Sequence, residues 1–112
     1  QEILLVFQPH RYSRTRDLFE EFVELLSNED RLVICEVYPA GEEPIEGADG
    51  KSLCAAIRNS AKVEPIFLEN IFELPKLLAS LLRADDVLLT LGAGNIGKVS
   101  RELVDAPFDQ LL

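Results

Sequence analysis

The 112-residue chain contains no methionine and no tryptophan, and only two cysteines and one histidine. It opens Gln1-Glu2-Ile3-Leu4-Leu5-Val6-Phe7, inside an apolar, strand-like run and without an initiator. That beginning leads us to expect a piece of a longer chain. Two cysteines, Cys35 and Cys54, are too few for the multiply bridged framework of a small secreted domain. Each sits in an apolar or helical run, so both are read as reduced core residues. No cysteine or histidine pair has zinc-ligand spacing, and no metal site is expected. There is no signal peptide and no apolar run near the ~20 residues that span a bilayer, so the expected location is the cytoplasm, with no membrane partner. Basic residues are scarce: 11 Lys and Arg stand against 20 Asp and Glu, a formal net charge of −9. Such a balance excludes nucleic acid as the main partner, because binding it relies on neutralising phosphates. An anionic small molecule stays open, since local charge decides that.

What is present reads as a globular chain of one domain, residues 1–112. Nearly half of it is apolar (47%), which suits a packed core at this length. Four short apolar runs, Ile3–Phe7, Leu32–Val37, Val63–Leu68 and Val87–Leu91, lack clean polar alternation, as expected of strands covered on both faces. Between them lie segments with helical spacing. Leu18, Phe22 and Leu25 with Phe19, Val23 and Leu26 make one wide apolar stripe. Leu53, Ala56 and Ile57 begin a second; Leu74, Leu77, Leu78, Leu81 and Leu82 make a third. Ile96, Val99, Leu103 and Val104 make a fourth. Strand alternating with helix predicts an α/β fold of three layers, a mainly parallel sheet with helices on both faces. The ligand edge of such a sheet is where strands hand over to helices.

Three connections at that edge are unusual. In "QPHRYSRTRDLF" (residues 8–19) the only histidine and three arginines fall together, although the chain is acidic. Ser13 is the predicted N-cap of a helix running to about Ser27. Arginines in a first turn oppose the helix dipole. Two explanations are open. Ion pairs with Asp17, Glu20, Glu21 and Glu24 would make the cluster a solvated surface. Alternatively, free N–H groups at a helix start and the Arg11 and Arg14 guanidiniums, three residues apart with His10 beside them, would suit a carboxylate or phosphate. Arg16 is expected to point away and pair with an acid such as Glu20.

The second connection, Tyr38 to Ser52, carries Glu42, Glu43, Glu46 and Asp49 with Gly41, Gly47 and Gly50. Its "GKS" ending is not a phosphate loop, because position 45, where that motif needs glycine, is Ile. Asp49 or Ser52 capping the next helix is the better account. The third is "GAGNIG", Gly92 to Gly97, a literal G-x-G-x-x-G. A dinucleotide site would also need a following strand with an acidic residue about twenty positions on. Only fifteen residues follow Gly97. The glycines are read instead as allowing a tight strand-to-helix turn with close packing. A nucleotide-binding or protein-interaction module using "GAGNIG" is the alternative function.

Together, "FQPHRYSRTRDLFEEF", "VYPAGEEPIEGADGKSLCAAIR" and "LLTLGAGNIGKVSREL" resemble, in order and across the whole chain, the C-terminal domain of the Mur ligase family, in its alanine-adding branch. "HRYSRTRDLF" is the most specific part and separates this branch from the recycling ligases that attach a preformed peptide. The resemblance implies a three-domain, ATP- and Mg2+-dependent ligase of bacterial peptidoglycan synthesis. ATP would phosphorylate the carboxylate of UDP-N-acetylmuramate, and the amine of L-alanine would attack the acyl phosphate. It further implies that His10, Arg11 and Arg14 hold L-alanine, the two arginines on its carboxylate, while ATP and Mg2+ bind mainly to a central domain. Two parts of the family pattern do not occur here: a preceding strand with a segment of the type D-D-Y-G-H-H-P, and the ATP phosphate loop. The resemblance therefore implies a domain truncated at its N-terminus, lacking its first strand and any catalytic residue, and inactive alone.

Overall fold

In a computed structural model, which describes residues 2–92 together with Ile96, Gly97 and Val99, four parallel strands form one sheet. They are β1 (Ile3–Gln8), β2 (Arg31–Cys35), β3 (Ile66–Leu68) and β4 (Val87–Gly92), in the order β3-β2-β1-β4. Between β1 and β2 run two helices, α1 (Tyr12–Asp17) and α2 (Phe19–Leu26). Helix α3 (Gly50–Asn59) joins β2 to β3, and α4 (Leu74–Leu81), preceded by a short 3-10 turn, joins β3 to β4.

Side-chain alternation in the strands divides the core in two. Leu5, Leu32 and Ile34 pack on one face with Leu26 of α2 and Leu53, Cys54 and Ile57 of α3. Leu4, Val6, Val33 and Cys35 pack on the other with Leu74 and Leu78 of α4, and with Ile96 and Val99. The expected three-layer α/β architecture is thus present; burial on both faces explains the continuous apolar runs of β1 and β2, but not that of β4, which is exposed along one face. The first two crossovers carry the chain outward over one face; the third returns it over the opposite face to the far side of β1. This is the arrangement that right-handed crossovers require.

Register fixes the ends of the strands. Leu5 lies between Leu32 and Leu89, and Gln8 lies opposite Gly92. At the amino edge, Arg31 donates to Asp86 at 2.5 Å and also to the Leu81 carbonyl, tying β2 to the entry of β4. Val87, Leu89 and Leu91 of β4 are exposed.

Several boundaries differ from the sequence expectation, each for a local reason. β2 stops at Cys35 rather than Val37 because Glu36 turns its own carboxylate onto the Val37 N–H, 2.8 Å away. β3 begins at Ile66 rather than Val63, directly after Pro65, which has no N–H for the ladder. The single helix expected to reach Ser27 is broken at Leu18, whose φ and ψ of −109° and 16° are not helical. Thr15, fully buried, bonds its hydroxyl back to the Arg11 carbonyl at 2.8 Å, a pattern that bends helices. Leu18 and Leu25 are consequently exposed, so only part of the predicted stripe, Leu26 with Phe19, Phe22 and Val23, reaches the core. Of the fourth predicted stripe, Ile96 and Val99 are buried; Leu103 and Val104 lie outside the described residues.

Both cysteines are buried, as expected, and on opposite faces of the sheet. Burial pushes the Cys35 thiol up to about 12 and the Cys54 thiol up to about 11. Since the thiolate is the reactive form, neither should react with a thiol-specific disulfide reagent in the native protein at pH 8. Both should react once denaturant is added. Rapid labelling of either without denaturant would contradict the burial.

Candidate functional site at the switch point of the sheet

The strand order places a topological switch point between β1 and β4, the two strands from which the chain departs in opposite directions. In open α/β sheets the ligand crevice lies outside the carboxyl ends of such a pair. Two of the unusual connections begin there: "PHRYSR" after β1, and "GAGNIG" at Gly92 of β4, of which Ala93, Gly94 and Asn95 lie outside the described residues.

Close backbone approach builds the junction. A Cβ at Gly92, whose φ is +142°, would stand 2.6 Å from the Gln8 carbonyl oxygen, so only glycine fits. The Gln8 side chain is buried and links all three loops. Its Oε1 accepts the Ile96 N–H at 3.0 Å, and its Nε2 donates to the Glu36 carbonyl at 3.3 Å. Sequence reasoning ended the strand at Phe7 and missed this residue. A polar side chain closing an apolar strand was the available signal.

The first loop is held in an unusual conformation. Pro9 and Tyr38 continue the sheet-like pairing past β1: Tyr38 N–H donates to the Pro9 carbonyl and Arg11 N–H to the Tyr38 carbonyl, both at 2.8 Å. The His10 ring is half-buried and stacks on Tyr38, with centroids 5.6 Å apart and planes 12° from parallel. Helix α1 then starts at once, so Arg11, not Ser13, is its N-cap, and no side chain caps it in the usual way. Arg11 has φ 70° and ψ 139°, a region that costs a non-glycine residue ~1–3 kcal/mol and clusters at functional sites.

Tyr12 and Thr15 are buried, which turns Arg11 and Arg14 together toward solvent. Among the described residues neither arginine takes part in an ion pair. Arg16 does pair, as expected, but with Asp17 at 3.0 Å rather than Glu20. The surface-pairing account therefore holds for Arg16; Arg11 and Arg14 stay outside ion pairs, although the Arg11 charge also helps to hold the Glu42 carboxyl down.

The expectation of free N–H groups at the helix start does not hold. Glu42, from the loop after β2, sits there: Ser13 N–H donates to its Oε1 at 3.0 Å and Ser13 Oγ to its Oε2 at 2.5 Å. These bonds, the hydroxyl's foremost, hold the Glu42 carboxyl below the usual carboxylate range. The Ser13 N–H at the helix start is thus already taken. Nothing in the run of acids singled out Glu42, because its partner lies 29 residues away.

Asp49 caps α3 as expected, accepting the Ser52 N–H at 2.7 Å. Gly50 lets α3 start against the end of β2, where a Cβ would lie 2.7 Å from the Cys35 carbonyl. A cleft of about 250 Å³ opens beside the junction, lined by Gln8, Glu36, Tyr38 and the 69–72 turn. Its lining does not include His10, Arg11 or Arg14. Their arrangement is an open face that a second surface would have to complete. Among the described residues no three His, Cys, Asp or Glu side chains gather where a metal ion could be held, and no helix is long and apolar enough to cross a membrane.

Known proteins share this arrangement of sequence and fold. A family model described as "Mur ligase, glutamate ligase domain" matches residues 1–94. The chain is 55% identical over 109 residues to UDP-N-acetylmuramate–L-alanine ligase of Thiobacillus denitrificans, covering 96% of this chain and 24% of that protein. It is 55% identical over 104 residues to the protein of the same name from Laribacter hongkongensis, covering 93% and 22%. A crystal structure of UDP-N-acetylmuramate-alanine ligase MurC from Thermotoga maritima matches with a TM-score of 0.57 and 27% identity over 94% of this chain and 20% of that one. The chain spans about a quarter of the length of the curated relatives it matches. With the parallel sheet, the loops at its carboxyl edge and a family model covering most of its length, the chain belongs to the Mur ligase family.

Proposed function

We propose that this chain is the C-terminal, amino-acid-binding domain of an ATP-dependent UDP-N-acetylmuramate–L-alanine ligase of peptidoglycan synthesis. The observation that carries this reading is the pair of exposed guanidiniums free of ion pairs, Arg11 and Arg14, at the switch point of a Mur ligase fold. They take the carboxylate of L-alanine, with His10 beside them. Guanidinium forks match a carboxylate in shape and charge, and binding through that group leaves the amine free.

The reaction then needs little from this domain beyond placement. ATP transfers its terminal phosphoryl group to the carboxylate of UDP-N-acetylmuramate, releasing ADP. The amine nitrogen attacks the acyl carbon, the bond to phosphate breaks, and the amine loses a proton. Holding a small nucleophile in line with an acyl carbon is worth several kcal/mol of the barrier. ATP and Mg2+ are assigned to the remainder of the complete protein, since the described residues offer neither a phosphate loop nor a cluster of metal ligands. The open character of the arginine face fits a domain that works only when closed on the others.

The test uses the complete protein with UDP-N-acetylmuramate, ATP and Mg2+. L-alanine should support ADP release. L-alaninamide, which keeps the amine but has no carboxylate, should be poorer by about 100-fold or more, the equivalent of two lost charge-assisted bonds. Equal use of the two would sink the carboxylate assignment.

A further inference from the structure

We propose that Glu42 is a positioning residue for the substrate carboxylate: its own carboxylate, seated on the first turn of α1, locks the loop after β2 against the strained Arg11. The proposal rests on the reading that Arg11 and Arg14 bind alanine's carboxylate.

Arg11 needs such a lock. Its φ of 70° and ψ of 139° would relax if the segments on either side were free to move. On its carbonyl side it is held within α1, accepting from Thr15 N–H and Thr15 Oγ at 3.2 and 2.8 Å. On its amide side it hangs from the Tyr38 carbonyl, which belongs to the loop after β2. That loop must therefore stay fixed relative to α1, and both side-chain bonds that run from α1 to it end on Glu42. They straddle one residue, Ser13, which lies between Arg11 and Arg14.

A carboxylate is the side chain this position needs. Ser13 presents two donors, its N–H and its hydroxyl, and each meets a different oxygen of Glu42. Glutamine keeps an acceptor for the Ser13 N–H, but its NH2 can only donate, so the hydroxyl bond would have to reverse and both bonds would lose the carboxylate's charge. The same seat has a second consequence: by taking the Ser13 N–H, Glu42 denies that donor to alanine's carboxylate.

The experiment compares wild type, Glu42→Ala, Glu42→Gln and Ser13→Ala of the complete protein in steady-state assays, varying L-alanine, ATP and UDP-N-acetylmuramate separately. The expected result is a KM for L-alanine raised about tenfold or more in Glu42→Ala and by less in Glu42→Gln and Ser13→Ala. The constants for the other two substrates should stay within twofold. A merely structural role would move all three together or lower only the yield of folded protein. If Glu42→Ala does not fold, Glu42→Gln and Ser13→Ala, which keep the side-chain volume or remove only a hydroxyl, decide the matter by the same split. Unchanged alanine KM in folded variants, or a lowered one showing that Glu42 competes with substrate, overturns the proposal. A wild-type protein with no alanine-dependent ADP release would instead overturn the functional reading beneath it.

Discussion

Arg11→Ala and Arg14→Ala, made separately in the complete protein, are each expected to lower kcat/KM for L-alanine by about 10- to 150-fold. The magnitude follows from the ~1.5–3 kcal/mol that a hydrogen bond to a charged group contributes. Both residues are exposed and outside ion pairs among the described residues, so their removal should leave the fold intact and act on substrate directly. Because both would grip one carboxylate, the double variant should lose less than the product of the single effects. Lysine at either position should restore only part of the loss, since an ammonium lacks the planar fork. Arg16 serves as the control: it is paired with Asp17 and more than half exposed, and Arg16→Ala should stay within about twofold. Alanine titrations at saturating ATP and UDP-sugar measure all of this. Wild-type alanine kinetics in both single variants would show that the carboxylate binds elsewhere.

The second large effect is expected from Gly92→Ala. The new methyl would stand 2.6 Å from the Gln8 carbonyl and 3.1 Å from Ile96 Cγ2, on a backbone with φ +142°. Strain of that kind and overpacking each cost ~1–3 kcal/mol, so a local loss of about 2–4 kcal/mol is expected. The neighbour cannot yield cheaply, because the Gln8 oxygen is main chain at the last register pair of β1 with β4. Hydrogen exchange in the complete protein should therefore show amide protection of β1 and β4 falling by about 30-fold or more, more than for strand β3. Alanine-dependent turnover should drop with it, since those two strands deliver both loops of the switch point. Protection of β1 and β4 unchanged within twofold would mean that the junction is not the tight contact described.

How far the sequence could be read depended on whether a feature was local. Four apolar runs without alternation were enough to place four strands, but only β1 and β2 are buried on both faces; β4 exposes Val87, Leu89 and Leu91 because no described element covers that face of an edge strand. Asp49 as a helix cap was legible because the donor is three residues away. The cluster at His10, Arg11 and Arg14 stood out against an acidic chain, and its position after a strand pointed to an anion. The Ser13 cap, by contrast, was a sound local inference overruled by a partner 29 residues away. The single long helix likewise gave way at Leu18, where Thr15 is buried and turns its hydroxyl onto the backbone.

By itself, then, the sequence determined the α/β class, the burial of both cysteines, and the placing of two arginines with a histidine at a strand-to-helix handover. These follow from hydropathy period, composition and neighbour spacing, which act over a few residues. Only the tertiary structure decided that β1 and β4 lie side by side, that Gln8 joins all three loops, and that Glu42 occupies the helix start. Strand order and long-range hydrogen bonds depend on which faces must be buried together. That is a condition on the whole sheet, and no stretch of neighbours encodes it.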